Sequence, residues 1–523
     1  SFMIMDFPVS PLLKKYLKKM LAVMTAFMIC LGLVNIQTVN AAQQKKSVFS
    51  IDAGRKYFSE TQLEKIIEKA YLDGYTDVQI ILGNDGFRFL LDDMEITSSN
   101  VTYNSDDVKQ AIKNGNKAYY DDPNGNALTE DEMNHLVAYA KERDMHIIPV
   151  FNSPGHMDAL LSAMIELGMN DAAYTRKDTG ATSERTIDLE NTRARQFVLD
   201  VVQKYAHYFA QTGVVEIFNF GADEYAGDVI AYPDNAWARL IEFGLYDQFI
   251  SYVNELSQVI KSEGLTPMCF SDGIYYDSAN AGIKYQNEFD TDIIISVWIS
   301  GWGDGATPQF FADKGFKIMN TNRAWYWVIG SPYQDYGIYT FETAIEGIEN
   351  NSFITLADGT ENSNIIGSTQ AVWCDLPQLE YDQEEMFKLM DAYSTQYSEY
   401  MVKPADYSKV DEALSKVPTD LSKYTDETVS HLNDAINSVV RNKRVTEQEV
   451  VDGYAQAINE AIQGLKEKVS ETPKTDVSQN PTDKKDTGNK VTSPKTGDDT
   501  NLTMLFMMLA ALFVGFKVKK VEC

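Results

Sequence analysis

The chain has 523 residues, room for two or three domains around one sizeable core. Its 46 Lys and Arg against 76 Asp and Glu give a formal net charge of −30. Such a surface repels nucleic acid and anionic lipid, which excludes both as expected partners. Acidity names no function by itself, because a solvated acidic face accounts for it equally well.

The first predicted element is an export signal. KKYLKK (14–19) is followed by the apolar MLAVMTAFMICLGLV (20–34), and TVNAA then ends in small residues at Ala41 and Ala42. That order of basic, apolar and small residues is expected of a secretory signal peptide over 1–41. The competing reading, an N-terminal membrane anchor, needs a longer apolar run.

From about 47 to 400, strand-like and helix-like runs alternate. The strand candidates are VFSID (48–52), DVQIILG (77–83), HIIPVFN (146–152), EIFNFG (216–221), PMCFSD (267–272), DIIISVW (292–298), FKIMNT (316–321) and STQAVWC (368–374). Between them lie helical patterns such as 60–74, 130–144 and 194–213. Near-continuous apolar strands are those of a parallel sheet covered on both faces. Eight of them with intervening helices predict an α/β fold, a (β/α)8 TIM barrel catalytic domain over 47–400. An open doubly wound sheet is the alternative, but no Gly-rich phosphate loop follows the first strand.

Residues 406–467 change character. Three stretches carry apolar residues at three- and four-residue steps and predict a small three-helix bundle. These helices resemble the FIVAR-type modules of Gram-positive surface proteins, which implies a spacer or a weak binding module. Residues 470–492 are Thr, Lys, Asp, Asn and Pro with almost no apolar residue, and predict a disordered wall-spanning linker. The end reads SPKTG (493–497), an apolar run from Leu502 to Phe516, and KVKK. This resembles a sortase sorting signal, with Ser493 where that motif has Leu. The resemblance implies sortase and peptidoglycan as partners, and a secreted protein covalently anchored to a Gram-positive cell wall. A plain membrane tail would leave PKTG unexplained.

Four cysteines occur, and two, Cys269 and Cys374, lie between the terminal signals. They are too few for a disulfide framework or a Cys-based metal site, so each is expected to be a buried free thiol. Five histidines show no zinc-like spacing. Asp272 and Asp277 have the donor type that calcium takes, but the pattern compels no site. No cofactor is expected.

The chemistry is concentrated at GADE (221–224), where a buried strand ends in adjacent acids. In a barrel, catalytic groups stand at the C-terminal ends of strands. Small residues at 221 and 222 let the chain turn so that Asp223 and Glu224 can serve one pocket. Neighbouring carboxylates repel, and a Glu pushed up in pKa suits a general acid. Carboxylate pairs are typical of glycoside hydrolysis, but sequence neighbours cannot easily straddle a sugar ring. Adjacency suits instead an acid working beside a group that steers the substrate's own 2-acetamido oxygen.

On this signature the region 47–400 resembles the family 20 glycoside hydrolases, the β-N-acetylhexosaminidases, and within them the surface-anchored streptococcal type. The resemblance implies that Glu224 is the acid/base and that Asp223 orients the acetamido group. Arg55 in IDAGR would bind sugar hydroxyls. Asp85 and Arg88 in NDGFR would be structural or rim residues. His156 in SPGH would sit behind the acid, although Asn152 stands where the family often has Asp, leaving the ring without that carboxylate. Trp298 would wall the pocket, Tyr326 in NRAWYW would donate to the acetamido oxygen, Trp373 would form the floor and Asp375 would reach distal hydroxyls. Aromatic faces suit pyranose rings, and buried polar groups reject the wrong sugar. Taken singly, each residue has a plainer explanation: a solvated acid pair, a core histidine, core tryptophans or a barrel-end ion pair. Their order along eight strands carries the argument. The expected activity is retaining removal of terminal β-linked N-acetylhexosamine from glycans. A lacto-N-biosidase releasing a disaccharide and a non-catalytic glycan-binding adhesin remain open alternatives.

Overall fold

A computed structural model describes residues 44–469, except 120–121, 123, 178, 226–236, 238–239, 242, 277–284, 300–304, 331–336 and 351–362. The expected signal peptide and the whole of 470–523, with the linker and sorting signal, lie outside the described residues, as does Asp277.

Eight parallel strands form the barrel: β1 (Lys46–Asp52), β2 (Asp77–Asn84), β3 (His146–Ser153), β4 (Ile217–Gly221), β5 (Thr266–Phe270), β6 (Ile294–Val297), β7 (Ile318–Asn320) and β8 (Ile365–Trp373). Each pairs with the next, and β1 also pairs with β8, which closes the sheet. All eight predicted strands are present. Around them pack α1 (Glu60–Asp73), α2 (Ser105–Ala118), α3 (Glu130–Lys141), α4 (Asp158–Glu166), α5 (Thr192–Ala210), α6 (Tyr246–Ser262), α7 (Pro308–Asp313), α8 (Phe341–Asn350) and α9 (Gln383–Gln396).

Local signals set the helix ends. Ser59 and Gln62 form a reciprocal capping box at the start of α1, and Gly74 ends it at φ 94°, a left-handed conformation that glycine adopts without a Cβ penalty. The buried face of α1 is Leu63, Ile66, Ile67, Ala70 and Tyr71, the three- and four-residue spacing of an amphipathic helix.

Strand alternation sorts the core into two layers. Phe49, Ile51, Val78, Ile80, Phe218, Cys269, Ile295 and Val372 face the helices in the main core. Val48, Ile148, Ile217, Met268, Ile294 and Met319 fill the barrel interior as a separate apolar cluster. Above that plug the inward rows become polar: Gln79 donates to Ser50 Oγ at 2.9 Å, and Asn219 donates to Gln79 Oε1 at 3.1 Å. Continued two residues at a time, the same rows run into the strand ends. The step from apolar plug to polar layer to charged rim is what aims the functional groups at one opening.

After the barrel come α10 (Ser408–Ser415), α11 (Asp426–Asn437) and α12 (Gln448–Gln463). Their own core holds seven buried apolar side chains: Ala405, Val410, Ala413, Leu432, Val451, Ala455 and Ile458. These helices and the barrel belong to one compact unit ending at Lys466. Arg444, only 4% exposed, reaches across to the C-terminal end of α1. Its guanidinium donates to the carbonyls of Ala70 (3.3 Å), Tyr71 (2.6 Å) and Tyr75, and lies 4.6 Å from the Tyr71 ring centre. Ala70 O and Tyr71 O also accept from the N–H groups of Tyr75 (2.9 Å) and Gly74 (3.2 Å), so the guanidinium is a second donor to them, and a cation there meets the negative end of the helix dipole. Val402 N–H adds a bond to Gly74 O at 2.8 Å. The helical module is therefore fastened to the barrel at the N-terminal side of β2, away from the strand ends that carry Asp223 and Glu224.

Candidate active site

The turn after β4 carries the acids. Gly221, Ala222 and Glu224 have φ of 73°, 65° and 55°, and His156 and Asp85, at the ends of neighbouring strands, have φ of 52° and 58°. Non-glycine residues there cost about 1–3 kcal/mol each and need surrounding bonds to hold them. Those bonds are present. Asn152 Oδ1 accepts from Ala222 N–H at 3.1 Å while its Nδ2 donates to Asp223 Oδ1 at 2.7 Å. Glu224 N–H donates to Asp272 Oδ2 at 2.9 Å. A hydrogen bond to a charged group contributes about 1.5–3 kcal/mol, enough to offset the backbone cost. Gly221 is required sterically, since a Cβ would lie 2.2 Å from Asn152 Oδ1.

A cavity of about 320 Å³ opens at the strand ends. It is lined by Arg55, Asp223, Glu224, Trp298, Tyr326, Trp373 and Asp375, seven of the eight residues singled out from sequence. The eighth, His156, lies behind them, 5% exposed, with Nε2 3.1 Å from Glu224 Oε2 and 3.5 Å from Asp223 Oδ2. Trp298 and Tyr326 stack with centroids 6.3 Å apart and planes 14° apart, and Tyr326 meets Trp373 edge-on at 5.6 Å. Of the three neighbouring aromatics, Trp325 is fully buried against Tyr393 and Tyr397, and Trp327 packs on Phe341, so Tyr326 alone reaches the cavity.

Two expectations change. The carboxylate that Asn152 fails to give His156 comes from Asp85, whose Oδ1 is 2.9 Å from Nδ1. Asp85 is therefore more than a rim residue, whereas Arg88 is structural, donating to the carbonyls of Gly54 and Arg55 and to the Asp122 carboxylate. Asn152 itself is the right residue for its place, because an Asp could not donate to Asp223 and would repel it. The second change concerns the acids. Burial pushes Glu224 up, but the hydrogen bond and charge of His156, then Arg55, outweigh it and hold the group below its usual range in the open site. Asp223 is the raised partner, through burial and the Glu224 charge, which exceed the pull of His156. The Glu224 side chain is 55% exposed to the cavity, so water still screens it. A ligand that displaces that water removes the screening and drives the carboxyl up.

Burial pushes His156 down, but the Asp85 charge and hydrogen bond, with Glu224 and Asp223, raise it well above its ordinary value. Arg55 donates to Asp85 at 2.8 Å and to Asp52 and Asp375 at 3.2 Å each. Asp52, buried beneath it, also accepts from Cys374 N–H at 3.2 Å, tying the ends of β1 and β8. The two free thiols, Cys269 and Cys374, are buried as expected.

Asp52, Asp272, Phe270, Arg323, Val328, Ile338 and Tyr339 belong to the site or its support but were not singled out as site residues from sequence. Counting in twos along the inward rows would have found three of them: Ser50 leads to Asp52, and Met268 leads to Phe270 and Asp272. Among the described residues, only His156, Asp223 and Glu224 cluster closely enough to hold a metal, and they are already joined to one another. Both oxygens of Asp272 are taken by N–H donors, which argues against the calcium role considered for it.

A family model for the glycosyl hydrolase family 20 catalytic domain matches residues 48–388. The chain belongs to glycosyl hydrolase family 20. This family 20 chain is similar to a solved catalytic module of the pneumococcal exo-β-D-N-acetylglucosaminidase StrH, with 42% identity, coverage of 80% of this chain and 98% of that one, and a TM-score of 0.65. A second structure, of StrH as a pneumococcal virulence factor acting in N-glycan recognition and hydrolysis, matches with the same values. The lacto-N-biosidase of Bifidobacterium bifidum is 26% identical over 208 residues, 38% of this chain and 17% of that protein. The β-hexosaminidase subunit A1 of Dictyostelium discoideum is 25% identical over 266 residues, 49% of this chain and 44% of that protein. The chain thus spans less than half the length of these two curated relatives.

Proposed function

We propose that the protein is a retaining exo-β-N-acetylhexosaminidase that removes terminal N-acetylglucosamine, or N-acetylgalactosamine, from glycans. The observation that carries this is the pair at 223 and 224: both carboxylates line one aromatic-walled cavity, with a protonatable ring behind the second. In the first half-reaction the substrate's acetamido oxygen attacks C1 and the glycosidic C1–O bond breaks. Glu224 gives its proton to the departing oxygen. Asp223, held by Asn152, accepts from the acetamido N–H and steadies the oxazolinium charge, while Tyr326 donates to the acetamido oxygen before it attacks. In the second half a water gives its proton to Glu224 and attacks C1, the C1–O bond to the acetamide opens, and the β configuration is restored. Arg55 and Asp375, already paired, present donors and acceptors to the sugar hydroxyls, and Trp298 and Trp373 bound the ring.

Product analysis by NMR on a β-N-acetylglucosaminide tests this. The initial product is expected to be the β-anomer, and a thiazoline mimic of the intermediate is expected to inhibit. An α-anomeric initial product, or indifference to removal of the substrate's acetamido group, would reject the mechanism. The cavity volume is at the low end of the range of about 300–1,000 Å³ for small-molecule sites, which favours one sugar. Disaccharide release is the second reading, favoured by an adjoining cavity of about 490 Å³ that shares Arg323, Ile338 and Tyr339 with the first. Rates on a chromogenic N-acetylglucosaminide against a lacto-N-bioside separate the two, and no turnover of either supports the adhesin instead.

The terminal segments support, on sequence, an exported protein joined by sortase to peptidoglycan through Thr496, with the FIVAR-like helices between catalytic domain and wall. Thr496→Ala is expected to move the protein out of the cell-wall fraction. Unchanged wall attachment would reject the sorting reading.

A further inference from the structure

We propose that Asp272 is a positioning residue that holds the Glu224 backbone and the Trp298 ring in a fixed relation, so that proton delivery and acetamide alignment occur in the same geometry. The inference rests on the glycosidase reading above.

Asp272 lies two residues beyond Phe270 on the inward row of β5 and is 7% exposed. Its Oδ2 accepts from Glu224 N–H at 2.9 Å, and its Oδ1 accepts from Trp298 Nε1–H at 3.2 Å. One carboxylate therefore bridges the end of β4, where the acid stands, and the end of β6, which supplies the cavity wall. Trp298 passes the constraint on by stacking on Tyr326. Glu224 needs such a tie, because its φ of 55° is one that an unsupported glutamate rarely adopts. The substrate's carbonyl must sit against Trp298 and Tyr326 at the moment Glu224 faces the leaving oxygen, and small errors in such alignment are costly in rate. Asp272 is the side chain seen to bond to both partners. It touches neither the sugar nor the reacting atoms in the proposed mechanism, so its contribution is geometric.

Asn is the same shape but carries a donor at one of its two ends. In Asp272→Asn, one of the two N–H groups would face another N–H, and either the Glu224 or the Trp298 contact is lost. Misplaced acid catalysis hurts poor leaving groups most, since an activated phenolate departs with little protonation. The test measures kcat/KM for a 4-nitrophenyl and an unactivated alkyl β-N-acetylglucosaminide with wild type and Asp272→Asn. The alkyl substrate is expected to lose about ten- to a hundredfold and the nitrophenyl substrate markedly less. Loss of the Trp298 contact instead lowers both substrates with the melting temperature unchanged. No loss on either substrate, or an equal loss with a lowered melting temperature, overturns the inference, because damage to the fold lowers both together. If Asp272→Asn is insoluble, Asp272→Ser, which keeps one acceptor at the strand end, is judged by the same ratio. Wild type inactive on both substrates would sink the glycosidase reading rather than this one.

Discussion

The two ends of the barrel solve opposite problems. At the C-terminal end Asp52, Asp85, Asp223, Glu224, Asp272 and Asp375 crowd around Arg55 and His156, and several backbones sit at positive φ. At the other end Lys46 pairs with Asp77 and Glu216 at the strand starts, and the buried Arg444 fastens the helical module through backbone carbonyls and an aromatic face. The first arrangement spends stability to hold charges at fixed positions. The second uses one charge to hold two bodies together. A small module with seven buried apolar side chains has little core of its own, so docking matters more to it than surface ion pairs such as Lys409–Asp452, worth about 0–1 kcal/mol.

If the ends divide the labour in this way, changes at the rim should cost rate and changes at the base should cost stability. Glu224→Gln has the largest expected effect, a loss of about 10²–10⁴ in kcat on an unactivated glycan with the melting temperature little changed, read by steady-state kinetics and a thermal melt. A large fall in stability with activity retained would erase the distinction. Arg444→Met is expected to do the reverse: about 2 kcal/mol lost in urea denaturation, from the charged guanidinium's lost bonds to the end of α1, and kcat per folded molecule unchanged. A fall in kcat at equal folded fraction would mean that the two ends communicate.

The smallest effect is a pH slope. Burial pushes both Asp158 and Asp272 up to about 7, in each case with the charge of a neighbouring acid adding to it. The folded protein therefore holds protons that the unfolded chain has released by about pH 5, and through these groups stability falls as pH rises from about 4 to 7. His156, raised in the fold, adds stability that is complete below its ordinary value and fades as pH climbs through its folded one. Asp85 and Glu224, lowered in the fold, contribute above the ordinary carboxylate range and lose that contribution as pH drops below it. Thermal melts should thus peak in mildly acid buffer and decline toward pH 8, with a shallower decline in Asp272→Asn. A flat profile in both proteins would mean that these acids do not titrate differently in the fold.

Much of this was legible in sequence for an identifiable reason. Strands buried on both faces write themselves as short apolar runs, so the barrel could be counted, and groups at strand ends inherit their direction from that count. His156, Trp298 and Trp373 stand at such ends, and the family resemblance supplied their expected roles. What stayed hidden depends on pairs far apart in the chain. Arg444 bonds to carbonyls some 370 residues away, and no local period marks it. The sign of the Glu224 shift turns on whether His156 carries a proton, which in turn depends on Asp85, 71 residues before it. Asp272 stands on the inward row of β5, but a lone acid in a sequence suggests a metal ligand as readily as a bridge between two strand ends.

The two lone thiols extend this division into time. Cys269 sits on β5 and Cys374 just past β8, each sealed in the core and held well above the usual thiol range by burial. An alkylating reagent can reach them only when the surrounding wall gives way, so their separate labelling rates act as two clocks for how often each side of the barrel breathes.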